Sequence, residues 1–176
     1  MRGLLDQKKI THFLEQLGGR VKSPGSLYLV GGATALLEGW RLSTIDIGIK
    51  LDPEPKGIFE AIADLKDLLG VNVELASPEH FIPEVPGWRE RSRLVGHFGL
   101  LTVYHLDAYS QALAKVERGH DQGLTDVVAM LNRELVTPAE LRRLFALIVP
   151  AMIRYPALEQ RAFARKLDEA LRGATP

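Results

Sequence analysis

The segment from Leu27 to Leu51 constrains the fold more than any other part of the chain. A short apolar run, Leu27–Val30, leads into the pair Gly31–Gly32, and a second apolar run follows that pair. Ile45–Leu51 then alternates apolar residues with polar residues or glycine, as a strand with one buried face does. The pattern predicts a strand, a glycine turn, a helix over Ala33–Trp40 and a second strand that leaves one face available to a ligand.

A glycine turn followed by a helix and a carboxylate favours a site that binds phosphate groups. Glycine lets a backbone approach an anion closely, and the first N–H groups of a helix have no partners within that helix. Asp46 lies on the second predicted strand, where its carboxylate could hold a metal ion against phosphates. A plain tight turn beside a surface charge explains the same residues, because glycine pairs are a weak signal on their own. Both interpretations stay open at this level.

The length and composition of the chain exclude several classes of protein. The 176 residues are enough for one domain with a core, or for a core domain with a helical extension. Lys and Arg total 22, as do Asp and Glu, so the zero net charge does not support whole-molecule attraction to nucleic acid or to an anionic membrane. Because cysteine is absent, disulfides, thiolate metal sites and cysteine nucleophiles are excluded.

Targeting signals are not evident in the sequence. Residues 1–9 lack the long apolar core of a signal peptide, and no apolar run is long enough to span a membrane. We therefore expect a cytoplasmic protein without membrane contact. The apolar stretch Leu141–Ile153 leaves an oligomer possible.

Strand and helix patterns alternate at first, and helical periodicity alone continues to the end. Besides the elements above, hydrophobic spacing predicts two helices and two strands, at Leu4–Leu17, Ile58–Leu69, Val71–Leu75 and Gly99–Leu106. Proline-rich residues 77–88 are expected to form an irregular surface segment. The fold class predicted is α/β (α+β), with a core over residues 1–107 and a helical region over residues 108–176 packed on it.

Two further groups of residues could bind ligands. One is a run of basic and aromatic residues that could grip phosphate or stack on a base, although a solvated loop is the simpler explanation: Trp88, Arg89, Arg91 and Arg93. His105 and Asp107 could hydrogen-bond each other or a ligand, with a structural role as the simpler alternative. The histidines have no compact metal-ligand spacing, which disfavours a zinc site.

The segments Gly31–Leu36 and Arg41–Asp46 together resemble the Gly-Gly … Arg-x-Thr-x-Asp-x-Asp signature of nucleotidyltransferase-like proteins, including small prokaryotic members of the abortive-infection toxin type. The resemblance covers about residues 25–136 and continues through Asn72–Pro78, Phe81–Pro83 and Ala112–His120. It implies a mixed sheet flanked by helices with a C-terminal helical tail. It also implies transfer of a nucleotide from a nucleoside triphosphate (NTP) to an RNA, protein or small-molecule acceptor.

The resemblance implies which residues bind the nucleotide. Gly31 and Gly32 would contact its phosphates, and Arg41 and Thr44 would belong to the same binding set. Lys115 corresponds to the lysine of a family helix, and would contact phosphate as a compact charge and take part in catalysis.

The resemblance also implies a metal site with an incomplete set of carboxylates. Asp46 and Glu74, on neighbouring strands, would be the catalytic ligands of Mg²⁺ or Mn²⁺, and Asp126 fits the last acidic position of the helical segment. However, Gly48 occupies the position of the second metal aspartate, and Gly123 that of a further aspartate. Glycine has no side chain with which to coordinate a metal, so the departure weakens the expectation of a two-metal site.

Two functions follow from this pattern. The first is a metal-dependent nucleotidyltransferase. The alternative is a catalytically silent module that acts in nucleotide sensing or protein interaction, such as a toxin–antitoxin component with a protein partner. Restoring the missing ligand by Gly48→Asp is expected to raise the affinity for a divalent metal if the site geometry is intact.

Overall fold

A computed structural model describes residues 3–173, which divide into two compact units. The sheet unit consists of the residues up to Ser77 together with Ser92–Leu106, and the helical unit consists of Pro78–Arg91 and the residues from Asp107 onward. Residues 1–2, part of the stretch that lacks a predicted signal peptide, lie outside the described residues, as do residues 174–176 at the end of the predicted helical region.

The described part of the sheet unit contains three helices and five strands. In chain order they are α1 Gln7–Gly18, β1 Gly25–Val30, α2 Gly32–Leu37, β2 Asp46–Leu51, α3 Ile58–Leu69, β3 Asn72–Leu75, β4 Arg93–Phe98 and β5 Leu101–His105. The strands form one mixed sheet in the order β3-β2-β1-β5-β4. Strand β1 is antiparallel to β2 and parallel to β5, whereas β2 and β3 are parallel and β4 and β5 antiparallel. The predicted mixed sheet with flanking helices is confirmed.

Alternation along the strands separates a buried face from a second face. Leu29, Ile49 and Val103 are fully buried in one core with apolar residues of α1, α2 and α3. Their neighbours in sequence point to the opposite face, where the rings of Tyr28 and Tyr104 stack with centroids 5.1 Å apart. Because Asp46 belongs to the second set of positions, β2 keeps its carboxylate out of the core.

The helical unit confirms the predicted C-terminal helices. Its longer helices are α5 Ala108–Arg118, α6 Asp121–Asn132, α7 Pro138–Ile148 and α8 Gln160–Gly173, with a short α4 at Trp88–Arg91 and 3-10 turns at Pro78–His80 and Val149–Arg154. Gly119 ends α5 in the left-handed conformation, and the Thr137 side chain caps α7 just before Pro138. Among the described helices, none combines the length and hydropathy needed to cross a bilayer.

One strand was not expected, and several element boundaries differ from the prediction by one to three residues. Strand β4 begins at Arg93, the last residue of the predicted basic run, and continues through residues for which no element was predicted. It is the outermost strand on one side of the sheet, and its pairing with β5 contains an irregularity. Because all of its residues are partly or fully exposed, its sequence shows no alternation of apolar and polar residues. Helix α2 ends at Leu37, before the predicted Trp40. Ile45 is 61% exposed, and β2 begins only at the next residue.

Candidate functional site

The strand directions bring the predicted ligand residues of the sheet unit to one edge of the sheet. Because β2 runs antiparallel to β1, the end of β1 lies beside the beginning of β2, with Val30 opposite Gly48. Strand β3 runs parallel to β2, with Asn72 opposite Asp46. The glycine turn after β1 and the first residues of β2 and β3 therefore share this edge.

Two carboxylates at this edge are joined by one amide. The side-chain nitrogen of Asn72 lies 2.5 Å from Asp46 Oδ1 and 3.3 Å from Glu74 Oε1, and donates to both. Asp46 is half-buried and Glu74 is exposed. The amide offsets the repulsion between two negative charges that share a small volume. The structure thus brings together the two residues predicted as metal ligands, and adds Asn72, which the sequence reasoning did not select.

The position of the missing carboxylate, Gly48, has no room for a side chain. A Cβ atom there would lie 2.6 Å from the carbonyl oxygen of Val30 and 3.2 Å from the Cβ of Ala76. The first distance is far inside van der Waals contact, and a backbone carbonyl cannot rotate away as a side chain can. Gly48→Asp is therefore expected to bring no gain of metal affinity, contrary to the expectation from the sequence.

The glycine turn packs against the residues predicted to share its function. Gly31 has a φ of 68°, in the left-handed region that glycine tolerates best. A Cβ on Gly32 would overlap Thr44 Oγ1 and lie 3.0 Å from an Arg41 guanidinium nitrogen. Thr44 Oγ1 in turn donates to the Asp46 carbonyl oxygen over 3.1 Å. The turn, the guanidinium and the start of β2 therefore form one cluster, in which glycine is needed for the close approach.

Lys115 and Asp126 lie in the helical unit and bind each other. The Lys115 ammonium is 2.7 Å from Asp126 Oδ2, and the side chains are 16% and 2% exposed. A buried carboxylate needs such a partner, because an uncompensated charge away from water is costly. This ion pair gives the lysine a structural role, and its predicted contact with phosphate stays a prediction.

The predicted basic and aromatic run is divided between the helical unit and the sheet unit, and its side chains contact partners of their own. The Trp88 side chain is buried, at 2% exposure, with the Arg89 guanidinium 4.3 Å from its ring centroid. Arg91 binds Asp107 through Nε and Nη2, at 3.0 and 2.7 Å. Arg93 pairs with Glu38. The interpretation as a solvated loop is wrong, because Trp88–Arg91 form α4 and Arg93 begins β4.

A polar network in the sheet unit was missed by the sequence reasoning. Thr34 Oγ1 forms a short hydrogen bond with His105 Nδ1, and His105 Nε2 lies 3.6 Å from Glu38 Oε1. Burial lowers the pKa of His105 below its usual 6.5; the Glu38 carboxylate opposes the shift and Arg93 adds to it. Neutral His105 with its proton on Nε2 satisfies both partners. Thr34 lies in α2 and Glu38 at its C-terminal cap, and their four-residue spacing was the available signal.

This network predicts that stability depends on pH through His105. Since the pKa is lower in the folded state, the unfolded chain takes up the proton first as the pH falls below 6.5. Stability is therefore highest above that pH and decreases towards the lowered pKa. The free energy of unfolding is measured in urea at pH 8 and at pH 5.5. Its decrease between the two pH values should be smaller in His105→Gln than in the natural protein. The exposed His12→Gln is the control, and equal losses in all three proteins would contradict the prediction.

The donor atoms at the sheet edge fit one divalent ion better than two. Mg²⁺ is commonly held by one or two carboxylates together with substrate phosphates, and Asp46 and Glu74 supply that number. Within residues 3–173, no group of three or more His, Cys, Asp or Glu side chains could hold a metal. The blocked position at Gly48 removes the obvious source of a further ligand. The edge therefore suits an ion that arrives with a phosphate ligand.

The fold and this edge together define a protein of the nucleotidyltransferase-like class, with a glycine turn beside strand carboxylates on a mixed sheet. A family model described as "nucleotidyltransferase of unknown function (DUF6036)" matches residues 7–168, and the chain belongs to that family. The nucleotidyltransferase part of the resemblance is thus confirmed. No curated protein and no solved structure matches the chain.

Proposed function

We propose that the protein binds an NTP with one Mg²⁺ or Mn²⁺ ion at the sheet edge, and transfers the nucleotide to an acceptor. The observation that carries this proposal is the placing of the Asp46 and Glu74 carboxylates within reach of one Asn72 amide. Family membership supports the reaction class.

The glycine turn would receive the phosphates. With no side chain on Gly31 or Gly32, the backbone can approach phosphate oxygens closely. The Arg41 guanidinium, which packs against Gly32, would place a fixed positive charge beside them. Helix α2 has only six residues, so the turn itself, rather than a long helix dipole, would supply the N–H donors.

The two carboxylates would hold the ion. Bound there, Mg²⁺ would neutralise charge on the phosphates during transfer. Asn72 would release one or both carboxylates for this purpose, and its amide could then turn its oxygen to the cation. In the proposed reaction an acceptor hydroxyl attacks the α-phosphate in line, pyrophosphate leaves as the new P–O bond forms, and the hydroxyl proton is lost to solvent. A phosphate contact by Lys115 would require its ion pair with Asp126 to open or to be shared.

A catalytically silent module is the second candidate. The Val30 carbonyl that fills the position of a side chain at Gly48 favours it, because two-metal transfer depends on a further ligand there. Such a protein would bind a nucleotide as a sensor, or bind a protein partner as a toxin–antitoxin component does.

The first experiment is calorimetric titration of NTPs in Mg²⁺ and in EDTA. We expect metal-dependent binding to the natural protein, and a loss of that dependence in Asp46→Asn, which keeps the shape of the side chain but removes its charge. The control is Asp64→Asn on the exposed side of α3. Unchanged metal-dependent binding in Asp46→Asn would contradict the proposed site.

A second experiment separates the two candidates. The protein is incubated with α-phosphate-labelled NTP and either RNA or a protein extract, and label transfer is measured for the natural chain and for Asp46→Asn. Transfer that needs Asp46 supports the enzyme. Binding without transfer to either class of acceptor supports the silent module.

A further inference from the structure

A separate cavity lies wholly within the helical unit. Its volume is about 300 Å³, and it opens between the C-terminal end of α5, the first 3-10 turn and the segment after the second. The residues that matter for its chemistry are His80, Phe81, Glu117, Arg118, Arg154 and Tyr155. The volume matches the lower end of the range for small-molecule sites.

One wall of the cavity is aromatic and held in place. The Arg118 guanidinium carbon lies 4.3 Å from the centroid of the Phe81 ring, and the His80 ring meets Phe81 edge-on at 6.3 Å. The Tyr155 hydroxyl donates to the Glu79 carbonyl oxygen over 2.9 Å. Burial, with the nearby Glu79 and Glu84 carboxylates, raises the pKa of Tyr155 against the opposing charge of Arg154, so its phenol stays neutral at physiological pH. These contacts fix flat surfaces at the cavity without any ligand.

The lining of the cavity also holds two arginine guanidinium groups against one carboxylate. Arg118 and Arg154 are exposed, and neither lies within ion-pair distance of a carboxylate in the described part of the chain. The one acidic residue of the lining, Glu117, is neutralised by Lys166, whose ammonium lies 3.3 Å from Oε2 and 2.5 Å from the Glu117 carbonyl oxygen. Two guanidinium groups therefore remain available to an anion.

We propose that this cavity binds a nucleotide monophosphate or the terminal nucleotide of a strand, which share a phosphate beside a planar base. The phosphate would lie between Arg118 and Arg154, where planar guanidinium groups can make paired hydrogen bonds to its oxygens. The base would stack on the layer formed by Arg118 and Phe81, as bases stack on arginine and aromatic planes. The cavity needs no divalent ion, and this proposal does not rest on the proposed transfer reaction.

The test uses the full chain in EDTA, so that metal-dependent binding at the sheet edge is silent. The affinity for AMP, measured by calorimetry, is compared with the affinities for adenosine, ribose 5-phosphate and inorganic phosphate. We expect AMP to bind at least tenfold more tightly than each of the other three probes. A short single-stranded RNA with a 5′-phosphate is then titrated in the same way. Tighter binding of this RNA than of AMP would indicate a strand end as the ligand, and tighter binding of AMP would indicate a free nucleotide.

Variants locate the binding. Arg118→Gln and Arg154→Gln should each weaken AMP binding at least tenfold, and Arg118→Lys should recover only part of it, since lysine keeps the charge but not the plane. Arg142→Gln, at an arginine already paired with Asp168, should have no effect. Absence of AMP binding, equal binding of AMP and inorganic phosphate, or unchanged binding in both glutamine variants would each overturn the proposal. Asp46→Asn should leave AMP binding intact. A failure of this proposal can therefore be distinguished from a failure of the proposed sheet-edge site.

Discussion

Replacing Asp107 by alanine is expected to lower the free energy of unfolding of the helical unit by about 3–5 kcal/mol, the cost of removing one partner of a buried ion pair. Its side chain is 0% exposed and accepts from two nitrogens of Arg91, at 3.0 and 2.7 Å. It also caps α5, accepting from the backbone N–H groups of Tyr109 and Ser110, and from the Ser110 hydroxyl at 2.7 Å. Alanine would leave the partly buried guanidinium and three further donors without this acceptor.

The matched control is Asp6→Ala, which removes a helix cap without a buried ion pair. Asp6 is exposed and accepts from Lys9 N over 2.8 Å at the start of α1. That change should cost about 1 kcal/mol, the typical value for an N-cap. Urea unfolding followed by circular dichroism measures both variants. A loss in Asp107→Ala no larger than in Asp6→Ala would show that the ion pair with Arg91 contributes nothing.

Gly48→Asp is expected to destabilise the sheet unit by about 3 kcal/mol or more, the upper end of the cost of overpacking, and to leave Mg²⁺ affinity no higher than in the natural protein. The new Cβ would meet the Val30 carbonyl at 2.6 Å, and a carboxylate would be forced towards that carbonyl's negative end. Denaturant unfolding gives the stability, and calorimetry gives the metal affinity.

The chain offers a control at the other position where the family resemblance leads one to expect an aspartate. Gly123 lies within the first turn of α6, and a Cβ there would meet its nearest atom at an ordinary 3.5 Å. Gly123→Asp should therefore be neutral or stabilising by up to about 1 kcal/mol, because glycine is a poor helix former and acidic residues suit a helix N-terminus. Gly48→Ala separates the effect of size from that of charge. A stable Gly48→Asp protein with higher Mg²⁺ affinity would show that the Val30 carbonyl can move and that the site accepts a second carboxylate.

Several features of the fold could be predicted from local patterns. Strands β1, β2, β3 and β5 were located within about two residues, because apolar runs or alternation mark a strand that buries a face. The strand β4 could not be found in this way, since an exposed edge strand has no buried face to impose a pattern. The family resemblance placed Asp46 and Glu74 on neighbouring strands, and the register of β2 with β3 sets Asn72 opposite Asp46 and Glu74 opposite Gly48.

The sequence by itself determined the class of this protein: an alternating core, a helical extension, and a glycine turn followed by a strand carboxylate. These are local properties, because hydrophobic periodicity and turn residues determine the structure of only a few neighbouring residues. The tertiary structure alone decided how the polar groups are paired. It placed Thr34 against His105, Arg91 against Asp107, and the Val30 carbonyl where a side chain of Gly48 would lie. Such pairings join residues that are distant in the chain, so they exist only once the strands and helices have packed.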